Sequence, residues 1–397
     1  MRRSQNFSLT LGTCFSAYIV QAIVTTFPPL LFITFRNDYG VTLAQLSMMV
    51  ALCFVVQIVV DLICARYADR VGYRFCMVFS SLVAAAGFIS MAILPRVMPS
   101  PFLGLLLADV LYSIGAGITE VVNSPLVEAC PTKRKSAVMS LLHAFYCWGV
   151  IAVALLSTLF FVTVGRENWP LLACLWALLP LANAVMFCFV PMASLADQVP
   201  HQMKLKDFIS SKLFWVLMIL MLASGASEQA VAQWVSAFAE ANLGISKTVG
   251  DLAGLCVFAL LMGIFRSVYA KVSDRISPRQ AMLFCGFLAI VSYIIIVLPV
   301  HPVINLLGCG LSGIAVSILW PATLSYGAQL LPAGGTALFA FMAVAGDVGC
   351  SLGPSVVGTM SDWFDDELKF GFAAALIFPL LLLAGLLLLK KLRAARS

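Results

Sequence analysis

The chain has 397 residues, of which 62% are apolar and only 11% charged, with a formal net charge of +6. An ordinary soluble domain carries roughly 25% charged residues. This surface therefore has too little polarity to face water, which excludes a soluble enzyme or a nucleic-acid binder and leaves lipid as its surroundings.

A helix crosses the hydrocarbon core in about 20 apolar residues. The first such stretch covers 9–34 and runs through Phe27-Pro28-Pro29 without a small-residue cleavage site. Despite Arg2 and Arg3 ahead of it, a membrane span is expected there, not a cleaved leader. Further spans are expected near 42–65, 75–94, 102–130, 137–163 and 168–191. A polar, basic segment follows, and six more spans are expected near 214–240, 250–270, 280–299, 303–331, 336–358 and 370–389. Each stretch is too long for a membrane strand of about 10 residues. The expected fold is all-α, with twelve transmembrane helices in two pseudo-symmetric six-helix bundles. Their expected bounds are 1–191 and 213–397, joined by a cytoplasmic linker at 192–212.

Basic residues gather on the cytoplasmic side of membrane proteins. With both termini inside, that side receives Arg66, Arg70, Arg74, Lys133, Arg134, Lys135, Lys204, Lys206, Lys212, Lys271, Arg275, Arg279 and the basic tail. The other side receives only Arg36, Arg96, Arg166, Lys247 and Lys369. Both termini are therefore expected in the cytoplasm, and the short loops suit a bacterial inner membrane. The twelve cysteines form no CxxC pair and fall mostly within spans, so they read as packing residues, without disulfides or metal ligation.

The two halves repeat. Ala65-Arg66-Tyr67-Ala68-Asp69-Arg70 matches Ala270-Lys271-Val272-Ser273-Asp274-Arg275 at an offset of 205. Gly40-Val41-Thr42 falls on Gly244-Ile245-Ser246, and Gly149 on Gly349, at offsets of 204 and 200. Similar offsets along the chain argue for a duplicated six-helix unit, a transporter design with its substrate site at the membrane midplane.

Between spans two and three, Asp69-Arg70-Val71-Gly72-Tyr73-Arg74 resembles the signature loop of the major facilitator superfamily. Its echo, Asp274-Arg275 to Arg279, sits between spans eight and nine, as in that family. Ala65 and Tyr73 depart from the pattern at its first glycine and first trailing basic residue. The resemblance implies the major facilitator fold, and it implies that Asp69, Arg70, Gly72, Arg74, Asp274 and Arg275 latch the outward-open state. Physically, Gly72 permits a tight turn, Asp69 can cap a helix N-terminus, and Arg70 and Arg74 are expected at headgroups or on acids of the other half. Leu142 to Gly149, Ser227-Glu228 with Trp234, and Phe339 to Pro354 resemble spans five, seven and eleven of the fucose- and glucose-permease branch. That resemblance implies sugar–proton symport.

An ionisable side chain in mid-membrane is costly and by default points to function. Span four carries Asp109, Tyr112, Ser113, Ala116, Glu120, Asn123 and Ser124 at helical spacing, one polar stripe. Glu120 is deepest and is expected to carry a proton; the resemblance also implies an acid at this place. Asp109 lies nearer the outer surface and is expected to be wet. Span seven offers Glu228, Gln229, Gln233 and Trp234, and Gly225 just before them is expected to let the helix bend. Span eleven offers Asp347 among Gly346, Gly349 and Ser351. Asp347 and His143 of span five are the other candidates for proton coupling, since an imidazole ordinarily titrates near pH 6.5. Gln21, Asn123, Glu228, Gln229, Gln233, Trp234 and Trp320 are the expected substrate-binding set, with Pro321 kinking span ten. Asp61 and Arg266 are 205 apart, hence symmetry mates of opposite charge, and are expected to meet the opposite half and set the gating balance.

No GxxxxGK[ST] loop, metal-ligand cluster or catalytic constellation is visible, so no cofactor, metal or enzymatic activity is expected. The expected function is proton-coupled uptake of a small polar, sugar-like solute by a monomer working through alternating access. Two alternatives stand beside it: proton-coupled efflux of amphipathic or cationic compounds, and a non-transporting membrane sensor.

Overall fold

A computed structural model describes residues 7–195, 198, 203–235, 238, 247–298, 301–365 and 367–394. Among them there is no strand. The first six spans are α1 (Phe7–Leu30) with its short continuation α2 (Phe32–Tyr39), α3 (Leu43–Val71), α4 (Tyr73–Val97), α5 (Pro101–Ala129), α6 (Lys135–Thr163) and α7 (Trp169–Phe189). A short linker helix, α8 (Leu205–Ser210), leads into α9 (Lys212–Ala232), α10 (Lys247–Val272), α11 (Pro278–Val297), α12 (Pro302–Val316), α13 (Leu319–Leu330), α14 (Gly335–Asp362), α15 (Leu368–Ala375) and α16 (Ile377–Ala394). Eleven stretches among the described residues are long and apolar enough to cross a membrane. The helix α10 stands where the eighth span is expected, completing twelve.

The chain gathers into two compact units, Met1–Thr132 with Phe145–Pro200, and Lys133–Ala144 with His201–Ser397. The first turns of α6 thus pack with the second unit, and the rest of that helix with the first. The core of the first unit is apolar and aromatic. Trp169 meets Phe35 edge-on at 5.4 Å, and Phe88 stacks on Tyr112 at 5.7 Å.

Prolines place the helix breaks. A proline has no N–H and leaves the carbonyl four residues earlier without its helical partner. Span one is interrupted at Leu31, just after Pro28-Pro29, giving α1 and α2 in place of one continuous helix. Span ten breaks at Ser317-Ile318, between α12 and α13, one turn before Pro321, as its sequence leads one to expect.

Glycines set the closest helix contacts, and they do so twice. A Cβ on Gly149 of α6 would sit 2.7 Å from Cβ of Ala22 in α1. A Cβ on Gly349 of α14 would overlap the Leu222 carbonyl of α9, and one on Gly353 would overlap that of Ala226. The contact of span five on span one recurs as span eleven on span seven, so the duplication read from the sequence is also a duplication of packing. Gly225 serves the same contact, against the Gly346 carbonyl. The helix α9 runs unbroken through Gly225.

The loop after α3 turns on Gly72, whose φ of +93° suits a residue without a Cβ. Gly72 is also the N-cap residue of α4, while Asp69 lies in the last turn of α3. Arg74 is exposed, and among the described residues it is in no ion pair. Its guanidinium donates to the Phe187, Cys188 and Val190 carbonyls at 2.7, 2.5 and 2.9 Å, closing the end of α7. The last carbonyls of a helix have no partner within it and carry the negative end of its dipole, so a cation there is favoured. Arg74→Ala should therefore lower stability by about 1 kcal/mol. Arg74→Lys, which lacks the fork, should restore only part of it. Thermal unfolding in detergent checks this, and an unchanged midpoint in Arg74→Ala would count against the capping role.

Candidate functional site

In the first unit, Cys14, Tyr18 and Gln21 recur at helical spacing on one face of α1. They meet Glu120, Asn123 and Ser124 of α5. Asn123 Nδ2 donates to the Cys14 carbonyl at 2.9 Å, and the Tyr18 hydroxyl lies 3.2 Å from Ser124 Oγ. Gln21 Nε2 donates both to Glu120 Oε2 at 3.1 Å and to Gln57 Oε1 of α3 at 3.2 Å. The carboxylate of Glu120 is half-buried and held by an amide, with no cation paired to it among the described residues. Two acceptors beside it, Gln21 Oε1 and Asn123 Oδ1, are buried without a hydrogen-bond partner. Oxygen acceptors in excess of donors suit a partner rich in O–H or N–H groups. Thr25 of α1 and Tyr146 of α6 are joined 3.1 Å apart about a turn further along.

In the second unit the charge is concentrated on Arg266, which is 2% exposed. Its Nη2 donates to Glu228 Oε2 at 3.2 Å, its Nη1 to the His143 carbonyl at 3.0 Å, and its Nε to the Ser317 carbonyl at 2.5 Å. Ser140 Oγ donates to the main-chain oxygen of Arg266 at 2.8 Å. The Ser317 carbonyl is the one freed by Pro321, so a guanidinium of α10 replaces the N–H that the proline lacks. Buried ions survive only when paired and hydrogen-bonded, and this pair meets both conditions.

Other candidates fall in different surroundings. Asp347 is buried where Gly349 and Gly225 bring α14 against α9, as its small neighbours suggest. Gln229 is half-buried and Gln233 exposed. Trp234 spends its indole N–H on the Pro354 carbonyl at 3.0 Å, and Trp320 lies against Gly346. His143 is buried in the first turns of α6. Asp61 is fully buried in the first unit, like Arg266 in the second. Arg70 and Arg275 are exposed, and Asp274 takes an exposed ion pair from Arg134 at 2.7 Å. Arg134 also donates to the Ala270 and Lys271 carbonyls at the end of α10. Two groupings escape the sequence: the pairing of Glu228 with Arg266, and the part of Ser317. The Pro321 spacing is the signal for the second; the first joins two separate helices and has none.

The buried acids on duplicated helices, the glycine-mediated helix pairs and the Gly72 turn together describe a polytopic transporter architecture. A model of the Major Facilitator Superfamily matches residues 9–354. The chain belongs to the Major Facilitator Superfamily. Among solved structures of the superfamily fold, it is similar to a proton:xylose symporter, with a TM-score of 0.83 and 12% identity over 98% of this chain and 96% of that one. It is also similar to the fucose:proton symporter of E. coli, at 0.80 and 12% over 96% and 98%. A human organic anion transporter matches at 0.74 and 14% over 96% and 100%. No curated protein matches in sequence. The protein is thus a multi-pass membrane protein with the fold of a secondary transporter, not of an enzyme.

Proposed function

We propose that this major facilitator protein couples proton movement to the uptake of a small, hydroxyl-rich solute of the sugar class, by alternating exposure of its buried polar groups to the two sides of the membrane. The observation that carries this reading is the triad Gln21–Glu120–Gln57. A mid-membrane carboxyl is held by an amide, without a cation, next to buried acceptors that have no donor. Such a carboxyl can bind and release a proton, and the acceptors suit the hydroxyls of a polyol. The likeness to sugar–proton symporters agrees with this, and so does the resemblance to the fucose- and glucose-permease branch. Export of cations is less well supported, because the charge of Glu228 is taken by Arg266. We place both termini in the cytoplasm of a bacterial inner membrane, assign the six-helix halves to 1–191 and 213–397, and read the transporter as a monomer.

The test is transport by the purified protein in liposomes under an imposed proton gradient, with radiolabelled pentoses and hexoses as probes. Wild type should accumulate at least one of them. Glu120→Gln should lose that accumulation while still exchanging labelled for unlabelled sugar across the bilayer. Full accumulation by the variant would remove Glu120 from the coupling role, and absence of binding or uptake of every sugar would overturn the substrate class.

A further inference from the structure

The stripe on α5 holds a second acid that the reading above does not use. Asp109 and Glu120 are eleven residues apart, which is about 16 Å along the helix and nearly the same face. Asp109 is not the wet surface residue expected from the sequence, since it is 1% exposed. The reason is packing. Gly87 lets α4 press onto the backbone of Tyr112, where a Cβ would come within 2.5 Å of its nitrogen, and the Phe88 ring stacks over Tyr112. Phe88 and Tyr112 belong, with Leu105 and Ala108, to the apolar core of the first unit.

Inside that seal the carboxyl is incompletely satisfied. Ser113 Oγ donates to Oδ1 at 3.3 Å, and Tyr112 lies close by. Oδ2 is buried with no partner. No cation is paired with Asp109 among the described residues. The route onward is polar. Tyr112 stands near Cys53 of α3. Gln57 Nε2 donates to the Cys53 carbonyl and Sγ at 3.3 and 3.2 Å, and Gln57 accepts from the Gln21 amide that holds Glu120. Polar side chains of α5, α3 and α1 thus run from beside Asp109 toward the half-buried Glu120.

We propose that Asp109 is a second proton-carrying acid of this transporter, working in series with Glu120. An O–H bond forms on its carboxyl when the N-terminal half of α5 is open to water, and the proton returns to water when the cycle reopens it; nothing is oxidised or reduced. Its ionisable neighbours are few. On α5 there is Tyr112 and on α3 Cys53, while Arg96 of α4 and Arg36 and Asp38 of α2 are exposed; α1 carries no charged side chain among its residues. The functional meaning rests on the proton-coupled reading of Glu120, but the test below needs no substrate and therefore fails or succeeds independently of the sugar assignment.

The test is infrared difference spectroscopy of the full-length protein in lipid, recorded between acid and alkaline buffer without added solute, in the C=O stretching region of protonated carboxyls. Asp109→Asn keeps the size and most hydrogen bonds of the side chain but cannot bind the proton, and should remove one component of the band that Glu120→Gln leaves in place. Asp109→Glu should move that component, not abolish it, and Ser113→Ala should shift its frequency. A purely structural Asp109 would leave the difference spectrum of Asp109→Asn identical to wild type, and that result would overturn the proposal. If Asp109→Asn does not fold, the Glu and Ser113 variants decide: a spectrum unmoved by both has the same meaning.

Discussion

Arg266→Met is expected to destabilise the protein by about 3–5 kcal/mol, the usual cost of leaving one member of a buried ion pair alone. The methionine matches the arginine stem in length but supplies no donor. It leaves Glu228 Oε2 without its counter-charge, and the His143 and Ser317 carbonyls lose their partners. Glu228→Gln should also destabilise, since it removes the carboxylate that accepts from Arg266 Nη2. The double variant Glu228→Gln/Arg266→Met should be less damaged than the sum of the two, because the contact between them is lost only once. A further arm uses the proline. Pro321→Ala restores an N–H that can reach the Ser317 carbonyl if the helix closes, and in the Arg266→Met background it should recover part of the loss. Thermal unfolding in detergent, read as a double-mutant cycle, measures all of these. Strict additivity, or single variants as stable as wild type, would show that the pair is not what holds α9, α10 and the α12–α13 break together.

Much of this architecture is legible in the sequence because membrane insertion imposes simple rules. Spans must be long and apolar, their loops must divide by charge, and a duplicated gene leaves duplicated offsets. The Asp69-Arg70-x-Gly72 loop, the interruption at Pro28-Pro29 and the break ahead of Pro321 are all local, and each follows from one or two residues. The polar stripe of α5 is equally local, so its existence can be read from spacing. What each member touches cannot. Glu228 reads as an open binding group until Arg266, thirty-eight positions later, is seen to reach it. Arg74 reads as a surface charge, which it is, but the sequence does not show that the end of α7, more than a hundred residues on, lies in its fork. Asp109 reads as wet because distance from the helix centre suggests it, yet the aromatic cover that seals it comes from another helix. Symmetry helps with position. Asp61 and Arg266 are both buried, as corresponding residues should be, and Arg266 also reaches Glu228 of its own unit.

Gly349→Ala should cost about 1–3 kcal/mol, the range for forcing a methyl into a full site, even though alanine favours a helix over glycine by roughly 1 kcal/mol. The reason is what the methyl meets. At Gly349 it overlaps the Leu222 carbonyl, part of a helix backbone that cannot rotate away, so α9 and α14 must separate along their length. Gly353→Ala should behave alike, against Ala226. At Gly149 the neighbours are the Ala22 Cβ at 2.7 Å and the Ile19 Cα at 3.2 Å, so the same substitution should be destabilising but milder. Gly12 is the control, because a Cβ there has nothing within 4 Å. With only the backbone term left, Gly12→Ala should stabilise by about 0.5–1 kcal/mol. The series therefore predicts a change of sign within one kind of substitution, set by contact alone. Separation of α9 from α14 would also carry Glu228 and Asp347 apart, so Gly349→Ala should depress proton-driven uptake beyond what its stability loss explains. Uptake that follows the amount of folded protein would limit these glycines to packing, and a stabilised Gly349→Ala would mean that the two helices do not meet there.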